Sequence, residues 1–253
     1  MTTLREIVLL YRVQLRHTLR TKIGIVMGVV QPLIYLLLFG PMLIKVSRTP
    51  GLDGANPWQT FVPGVLVYLA LFGPGFAGFG IISDLRAGVI ERMRVTPVSR
   101  LALLLGRVLR DLTVLAIQIA MVTAVGFALG LRASPVGLLI GLAVLLLLGA
   151  GLSSLSLALG VILKSEDQFA PLVTLGALPL MLLSGILLPM QLAPTWLDVA
   201  SRFNPLRYVV DGVREVFAGH YATRTVAEAF VAAALLSVVC VFVGTRTFHR
   251  ENA

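Results

Sequence analysis

Charged residues are scarce in this sequence. They make up 13% of its 253 residues, against roughly 25% in a soluble domain, and 57% of the chain is hydrophobic. Charge this sparse, gathered in patches between long apolar runs, is typical of a polytopic helical membrane protein. The composition therefore predicts an all-α membrane protein and argues against a soluble α/β domain.

Cysteine and histidine are also rare. The single cysteine, Cys240, lies inside an apolar run, which excludes a disulfide within the chain. The three histidines lie outside the apolar runs, so we expect neither a metal site nor a serine–histidine protease dyad in the membrane. A Gly-x-x-x-x-Gly-Lys-Ser/Thr phosphate loop is missing as well. We therefore expect no catalytic residue and no ATP hydrolysis by this chain alone.

Acidic residues are missing from the centre of every apolar run. Carboxylates at that depth are the usual parts of proton and sodium relays, so their absence argues against an ion-driven carrier and favours amphipathic or lipid-like cargo. The net charge of +9 does not indicate a nucleic-acid partner. The basic residues lie between apolar runs, where positive-inside topology and contact with anionic membrane lipids account for them.

Six apolar runs approach the ~20 residues that a helix needs to cross the hydrocarbon core. We place the predicted spans at 23–44, 59–83, 104–131, 136–163, 169–189 and 226–246. Two thirds of the 21 Lys and Arg residues fall on the side that holds both termini, which predicts cytoplasmic termini. A single multi-pass membrane domain is predicted over residues 1–253.

Residues 1–22 form a basic amphipathic segment ahead of the first span. Apolar residues from Leu4 to Leu19 recur at helical spacing on one face, and an arginine stripe occupies another. The pattern predicts an interfacial helix; the alternative is a charged flank that only orients the first span. The stripe consists of Arg5, Arg12, Arg16 and Arg20.

The stretch from Ser83 to Asp111 is a basic island between two spans, which predicts a cytoplasmic loop. Within it, an apolar stripe and a helix stop at Thr96-Pro97 predict a short amphipathic helix. Arg107 and Asp111 are four residues apart and are expected to pair on one helical face. Arg107 and Arg110 are expected to extend to the membrane interface.

The connection 191–225 is amphipathic throughout. Because the residue before proline disfavours helix, Asn204-Pro205 predicts a break between two short helices. We interpret them as a re-entrant hairpin; the alternative is an amphipathic loop lying on the membrane surface.

Glycine and proline are concentrated in the second and fifth spans. Such residues kink or loosen membrane helices, so these spans, with the first, are predicted to move or to line a substrate path. The predicted path residues are Gln31, Tyr35, Phe72, Phe76, Phe79, Met181 and Leu183.

Two stretches resemble a known family. The run Glu91-Arg92-Met93-Arg94-Val95-Thr96-Pro97-Val98-Ser99-Arg100, followed by Gly106-Arg107, resembles the hallmark stretch of ABC-2 type transporter permeases, the daunorubicin-resistance type of drug and lipid exporters above all. The distal run Leu183-Ser184-Gly185-Ile186, then Pro194-x-Trp196 and Asn204-Pro205-Leu206-Arg207-Tyr208, agrees with it.

The resemblance implies a permease dimer, homomeric or heteromeric, in a bacterial inner or plasma membrane, with two copies of an ATPase subunit that bind ATP and Mg²⁺. It implies that the N-terminal arginines and a coupling helix at 84–100 contact the ATPase, and that the hairpin closes the outer side of the path. The implied coupling residues are Asp84, Arg86, Glu91, Arg92, Arg94, Thr96 and Pro97. The implied gate residues are Trp196, Phe203, Asn204, Pro205 and Tyr208.

Two other functions remain open. A polysaccharide or lipid-linked glycan exporter of the same fold is ranked lower, because such permeases tend to line the path with aromatics and only 8% of this chain is aromatic. A non-ABC membrane carrier or anchor would act without any ATPase.

Overall fold

The computed structural model describes residues 3–20, 22–46, 56–89, 100–187, 190 and 193–250. Within these ranges the regular structure is helical, with no strand, which confirms the predicted all-α class for the described part of the chain. The helices are α1 (Thr3–Arg20), α2 (Lys22–Val46), α3 (Pro57–Gly75), α4 (Gly78–Arg86), α5 (Arg100–Leu129), α6 (Pro135–Leu163), α7 (Glu166–Leu182), α8 (Thr195–Ser201), α9 (Pro205–Ala218) and α10 (Arg224–Arg250).

Four helical segments are long and apolar enough to cross a membrane. They are Pro57–Arg86, Ala102–Leu129, Pro135–Leu163 and Arg224–Thr247. A fifth results if Leu4–Arg20 and Gly24–Gly40, which meet at 65°, count as one span. The described ranges therefore hold four or five spans, against the six predicted.

The fifth predicted span, 169–189, is shorter as a helix. The 17 residues of α7 measure roughly 26 Å, less than the ~30 Å hydrocarbon core. The helix gives way to a turn in which Gly185 has a φ of 79°, a left-handed conformation that glycine adopts without strain.

The second span is broken between α3 and α4. At this break, the Ser156 hydroxyl on α6 donates to the carbonyl of Gly75 at 2.6 Å and accepts from the amide of Gly78 at 2.9 Å. A break inside a membrane is tolerated when neighbouring helices satisfy the freed backbone groups. Ser156 performs that function, so the break is a built part of the bundle.

The core is centred on α3, which is buried on nearly all sides, and on the contact between α6 and α10. Small residues bring α6 and α10 together: a Cβ on Gly151 would lie 2.6 Å from the Ser237 Cα, and one on Gly244 would lie 2.8 Å from the Ser154 carbonyl oxygen. Such small-residue seams let membrane helices approach closely. Substitution by a larger residue would push the two helices apart.

The predicted break at Asn204-Pro205 is found between α8 and α9. The Asn204 side chain accepts from the amide of Leu206 at 3.0 Å and so caps α9, with proline at the first helical position. One face of α9 is buried in the main core, including Val209, Val210 and Val213. Of the two helices, α9 is therefore packed into the bundle.

Candidate functional site

A half-open cavity of about 300 Å³ lies between α2, α3 and α5. Its walls are apolar and aromatic, with Met27, Leu69 and Phe72 among them, and its polar groups come from α2, α3 and α5. The polar lining residues are Gln31, Arg110, Asp111 and Gln118, together with the Tyr68 side chain. An apolar pocket with a few convergent polar groups is the usual form of a small-molecule site.

The predicted path residues are only partly brought together here. Gln31, Phe72 and Phe76 line the cavity. Met181 is half-buried against the main core, and Leu183 is the half-buried residue that ends α7; neither lines this cavity. The fifth predicted span thus contributes less to the cavity than its proline and glycine content suggested.

The remaining path residues, Tyr35 and Phe79, belong to a continuous column of eight aromatic rings. Neighbouring ring centroids are 4.6 to 6.3 Å apart, which is the range of stacked and edge-to-face contacts. Along α3 and α4 the column covers roughly 27 Å at helical rise. Its members are Phe61, Phe39, Tyr35, Tyr68, Phe72, Phe76, Phe79 and Phe169.

Gln118 is a polar residue of the cavity that the sequence patterns did not reveal. Its side chain is 5% exposed, and its Nε2 donates to the carbonyl of Ile25 at 3.4 Å. The amide fits beside Gly28 on α2 and Gly73 on α3, which have no side chains to exclude it. A glutamine within an apolar span was the available signal, because buried polar groups in membranes are often functional.

An inner cluster of charges lies beside the cavity, formed by Asp84, Arg107, Arg110, Asp111 and Ser153. Arg107 is 2% exposed and pairs with Asp84 at 2.6 Å. The expected Arg107–Asp111 pair is therefore wrong, and so is the expectation that Arg107 extends to the membrane interface. The partner comes from α4, because packing between helices places Asp84 closer than the residue one turn along α5.

The remaining members of the inner cluster are arranged differently. The Ser153 hydroxyl donates to Asp111 Oδ2 at 2.6 Å. Arg110 Nε lies 3.2 Å from Asp111 Oδ1 but makes no hydrogen bond. Asp111 is thus held mainly by α6, while the Nε of Arg110 has no hydrogen-bond partner among the described residues.

The coupling region is described up to Val89. Asp84 pairs with Arg107 on α5, and Arg86 reaches Glu166 at the start of α7 at 3.4 Å, with both of those side chains well exposed. The end of α4 is therefore tied to two other helices. The other predicted coupling residues, Glu91, Arg92, Arg94, Thr96 and Pro97, lie outside the described residues.

The N-terminal arginines lie on α1, with Arg5, Arg12, Arg16 and Arg20 all exposed. The opposite face of α1 contacts α5: the hydroxyls of Tyr11 and Thr113 are 3.0 Å apart, and Gly106 leaves space for Leu10. The helix itself is present, its place at the membrane interface stays a prediction, and part of its apolar face packs on protein. The arginine stripe remains open to a partner.

The predicted gate residues divide into two groups. Trp196 and Phe203 are 72% and 87% exposed, whereas Asn204 is buried and donates to the Leu180 carbonyl at 2.6 Å. Pro205 opens α9, and the Tyr208 hydroxyl donates to the Arg202 carbonyl at 3.0 Å. Asn204 therefore joins the turn between α8 and α9 to the end of α7, while Trp196 and Phe203 are exposed.

A hairpin cluster of charges, formed by Asp198, Arg202, Arg207, Asp211 and Arg214, surrounds these residues. Arg207 bonds both the side chain of Asp198, at 2.7 Å, and its carbonyl, at 2.8 Å. Hydrogen bonds from Arg202 and Arg207 hold the pKa of Asp198 below its usual value of 3.8. The cluster therefore stabilises the turn between α8 and α9 with Asp198 ionised.

Arg214 extends this cluster to two other elements. Its Nε donates to the Thr60 carbonyl at 3.0 Å and its Nη2 to the Gly185 carbonyl at 2.7 Å. Burial lowers the pKa of Arg214 to about 10 and nearby Asp211 opposes that shift, so the side chain stays charged at neutral pH. A single arginine thus connects α9 to the start of α3 and to the turn after α7.

A polytopic helical bundle with an amphipathic cavity between its helices has the architecture of a membrane transport protein. The family model described as ABC-2 type transporter matches residues 5–218. The chain belongs to the ABC-2 type transporter family, and it is a transport permease of the membrane.

Three relatives show what the chain is similar to. The "Putative transport permease ycf38" of Cyanophora paradoxa is 30% identical over 201 residues, covering 78% of this chain and 69% of the relative. The daunorubicin resistance ABC transporter permease protein DrrB1 of Streptomyces coeruleorubidus is 25% identical, covering 89% and 79%. Nodulation protein J of Rhizobium leguminosarum bv. trifolii is 30% identical, covering 75% and 72%.

Proposed function

We propose that this permease is the membrane subunit of an ATP-driven exporter that moves amphipathic drug or lipid-like substrates out of the cytoplasm or the inner leaflet. The observation that carries the proposal is the cavity between α2, α3 and α5. It combines an apolar wall at Met27 and Phe72 with buried polar groups at Gln118 and Asp111. That combination suits a molecule with one polar and one apolar end.

The proposed assembly contains two permease chains and two copies of a separate ATPase, which holds the ATP and Mg²⁺. The permease lies in a bacterial plasma membrane with both termini in the cytoplasm. The exposed arginines of α1 and the segment 84–100 form the ATPase contact. The relative named for daunorubicin resistance supports export of a drug-like compound.

Motion of the ATPase is transmitted through the ion pairs that the end of α4 makes with α5 and α7. Asp84 binds the buried Arg107 of α5, whose next turn carries the cavity residues Arg110 and Asp111. Because a buried ion pair resists separation, a displacement of the 84–100 segment moves α5 with it. This route connects the ATPase contact to the cavity wall.

The coupling role is tested by Glu91→Lys, measured as ATP-dependent accumulation of a fluorescent lipid-like amphiphile in inverted vesicles that contain the permease and its ATPase. We expect transport to fall to background at an unchanged membrane level of the permease. Glu228→Lys, a charge reversal at the start of α10, is the matched control and should transport normally. Normal transport by Glu91→Lys would remove Glu91 from the coupling role.

The ATPase itself is tested by purifying the tagged permease from its native membrane. Recovery of a chain with a phosphate-binding loop, and loss of transport on ATP depletion, are the expected results. A permease that purifies without such a chain and still transports after ATP depletion would instead be a non-ABC carrier.

A glycan exporter is the second candidate, and the aromatic column favours it. The low aromatic content of the chain argued against this function, but the structure collects eight of its rings into one column. Phe72→Leu keeps an apolar wall and removes the ring. If the cargo is a glycan, export should fall sharply in Phe72→Leu; if it is an apolar compound, export should change little.

A further inference from the structure

We infer that the cavity between α2, α3 and α5 binds the acidic headgroup of an amphiphile, a phosphate, sulfate or carboxylate, through the guanidinium of Arg110. The inference rests on the proposed function, because it assigns a substrate class to the same cavity. It adds a charge requirement that neither the fold nor the relatives specify.

The side chain of Arg110 has a hydrogen-bond donor, Nε, without a partner among the described residues. That nitrogen is buried, and the side chain as a whole is only 19% exposed. Arg107, one turn earlier, pairs with Asp84 at 2.6 Å. Burying polar groups without hydrogen bonds is unfavourable, so an acceptor from a bound molecule would stabilise this arginine.

Asp111 only partly compensates the charge of Arg110. The aspartate is 8% exposed and takes its short hydrogen bond, 2.6 Å, from Ser153. Its Oδ1 lies 3.2 Å from Arg110 Nε without hydrogen-bond geometry. Asp111 therefore faces α6, and Arg110 is the more accessible charge. A guanidinium binds phosphate or carboxylate through two parallel hydrogen bonds.

The space and shape of the cavity around Arg110 also suit an amphiphile with an acidic headgroup. Gly80 lies beside the guanidinium, and even an added Cβ there would stay 3.7 Å from Arg110 Nη2. The side-chain amides of Gln31 and Gln118 line the same cavity as Arg110, whereas Leu69 and Phe72 form an apolar wall. A headgroup at Arg110 therefore leaves its chain against apolar residues.

The test is equilibrium binding to the purified full-length permease in phosphatidylcholine nanodiscs, followed by calorimetry and corrected with empty nanodiscs. The probes are dodecyl phosphate and dodecyltrimethylammonium, which share a chain and differ in charge. We expect dodecyl phosphate to bind at least about 10-fold more tightly, since one hydrogen bond between charged groups raises affinity by roughly that factor or more. Equal binding of both probes, or a preference for the cation, would overturn the inference.

Variants then assign the effect to one residue. Arg110→Gln should lower dodecyl phosphate affinity about 10-fold or more and leave the cationic probe unchanged, while Arg110→Lys should fall between the two. Arg132→Gln, an exposed arginine outside the cavity, is the matched control. Unchanged affinity for dodecyl phosphate in folded Arg110→Gln would overturn the inference. If Arg110→Gln does not fold, the comparison of the two probes on the wild-type permease decides the question.

The two proposals fail separately. If Arg110-dependent binding is absent but Glu91→Lys abolishes ATP-driven transport, the exporter stands and the acidic-headgroup site is wrong. If binding follows Arg110 but transport needs no ATPase, the site stands and the exporter proposal is wrong.

Discussion

The inner cluster and the hairpin cluster use the same residue types in different ways. In the hairpin cluster, Arg207 and Arg214 bind backbone carbonyls that belong to other turns and helices. In the inner cluster, the contacts that the described residues make are between side chains, and Arg110 Nε has no hydrogen-bond partner among those residues. Arg214 also has one buried donor, Nη1, without a hydrogen bond, so the difference lies in the backbone carbonyls. An arginine that completes the backbone of its neighbours stabilises the fold, whereas one that lines a cavity without such bonds is suited to a ligand.

The largest expected loss of stability comes from Arg107→Met, in the inner cluster. The substitution leaves Asp84 beside a buried apolar side chain, and losing one partner of a buried pair costs about 3–5 kcal/mol. Since Asp84 is itself 32% exposed, we expect a value near the low end, about 3 kcal/mol. Unfolding of the purified permease in detergent, followed by circular dichroism, measures it.

The double variant Arg107→Met/Asp84→Asn is the control for that prediction. Removing both charges should restore much of the lost stability, because a buried pair can be replaced by neutral groups at little cost. A double variant as unstable as Arg107→Met would show that packing around Arg107, and not its charge, holds α4 on α5.

A smaller loss is expected from Arg214→Lys, which tests the hairpin cluster. One ammonium group cannot reproduce the fork that reaches both Thr60 and Gly185, so the free energy of unfolding should fall by about 2 kcal/mol. Arg202→Lys, at a 64% exposed side chain, should stay within about 0.5 kcal/mol of wild type. Equal effects of the two variants would contradict the role of Arg214 in holding α9 to the Thr60 and Gly185 carbonyls.

Ser153→Ala tests the inner cluster. Hydrogen bonds between membrane helices contribute on average about 0.6 kcal/mol, so stability should change little. Asp111, having lost its bond to α6, should turn toward Arg110 and weaken dodecyl phosphate binding several-fold. Ser154→Ala is the matched control, because that hydroxyl bonds Ala150 of its own helix; if both variants bind alike, Ser153 has no role in keeping Arg110 free.

The smallest expected effect is a pH dependence in the hairpin cluster. Because its pKa lies below 3.8 in the folded protein, Asp198 stabilises the fold above that pH, and the contribution is lost as the pH falls through the lowered pKa. The stability difference between wild type and Asp198→Asn should therefore be larger at pH 7 than at pH 3. A difference that does not vary with pH would mean that the carboxylate charge is not what the cluster uses.

Helix positions were largely predictable from the sequence, because the length of an apolar run sets the length of a membrane helix. The predicted spans 136–163 and 226–246 lie within the helical segments Pro135–Leu163 and Arg224–Thr247. The hairpin break was predictable too, since the residue before proline disfavours helix. Helical spacing placed the α1 arginines on a common face, and the structure leaves them exposed.

Contacts between distant helices were not predictable in the same way. Helical spacing suggested that Arg107 would meet Asp111, but its partner is Asp84 on another helix. The aromatic rings are few overall, and nothing in their composition indicated that α2, α3, α4 and α7 would stack them into one column. Gln118 and Ser156 acquired their roles from the backbones they face.

The sequence by itself determined that the chain is a helical membrane protein, where its basic island lies and that a phosphate loop is missing, because these depend on residue type and order along the chain. Tertiary structure alone decided which charges pair, which hydroxyl bridges the break in the second span and where the cavity opens. Those outcomes depend on distances of a few ångströms between helices far apart in sequence. Whether an arginine is satisfied or open to a ligand follows from such distances.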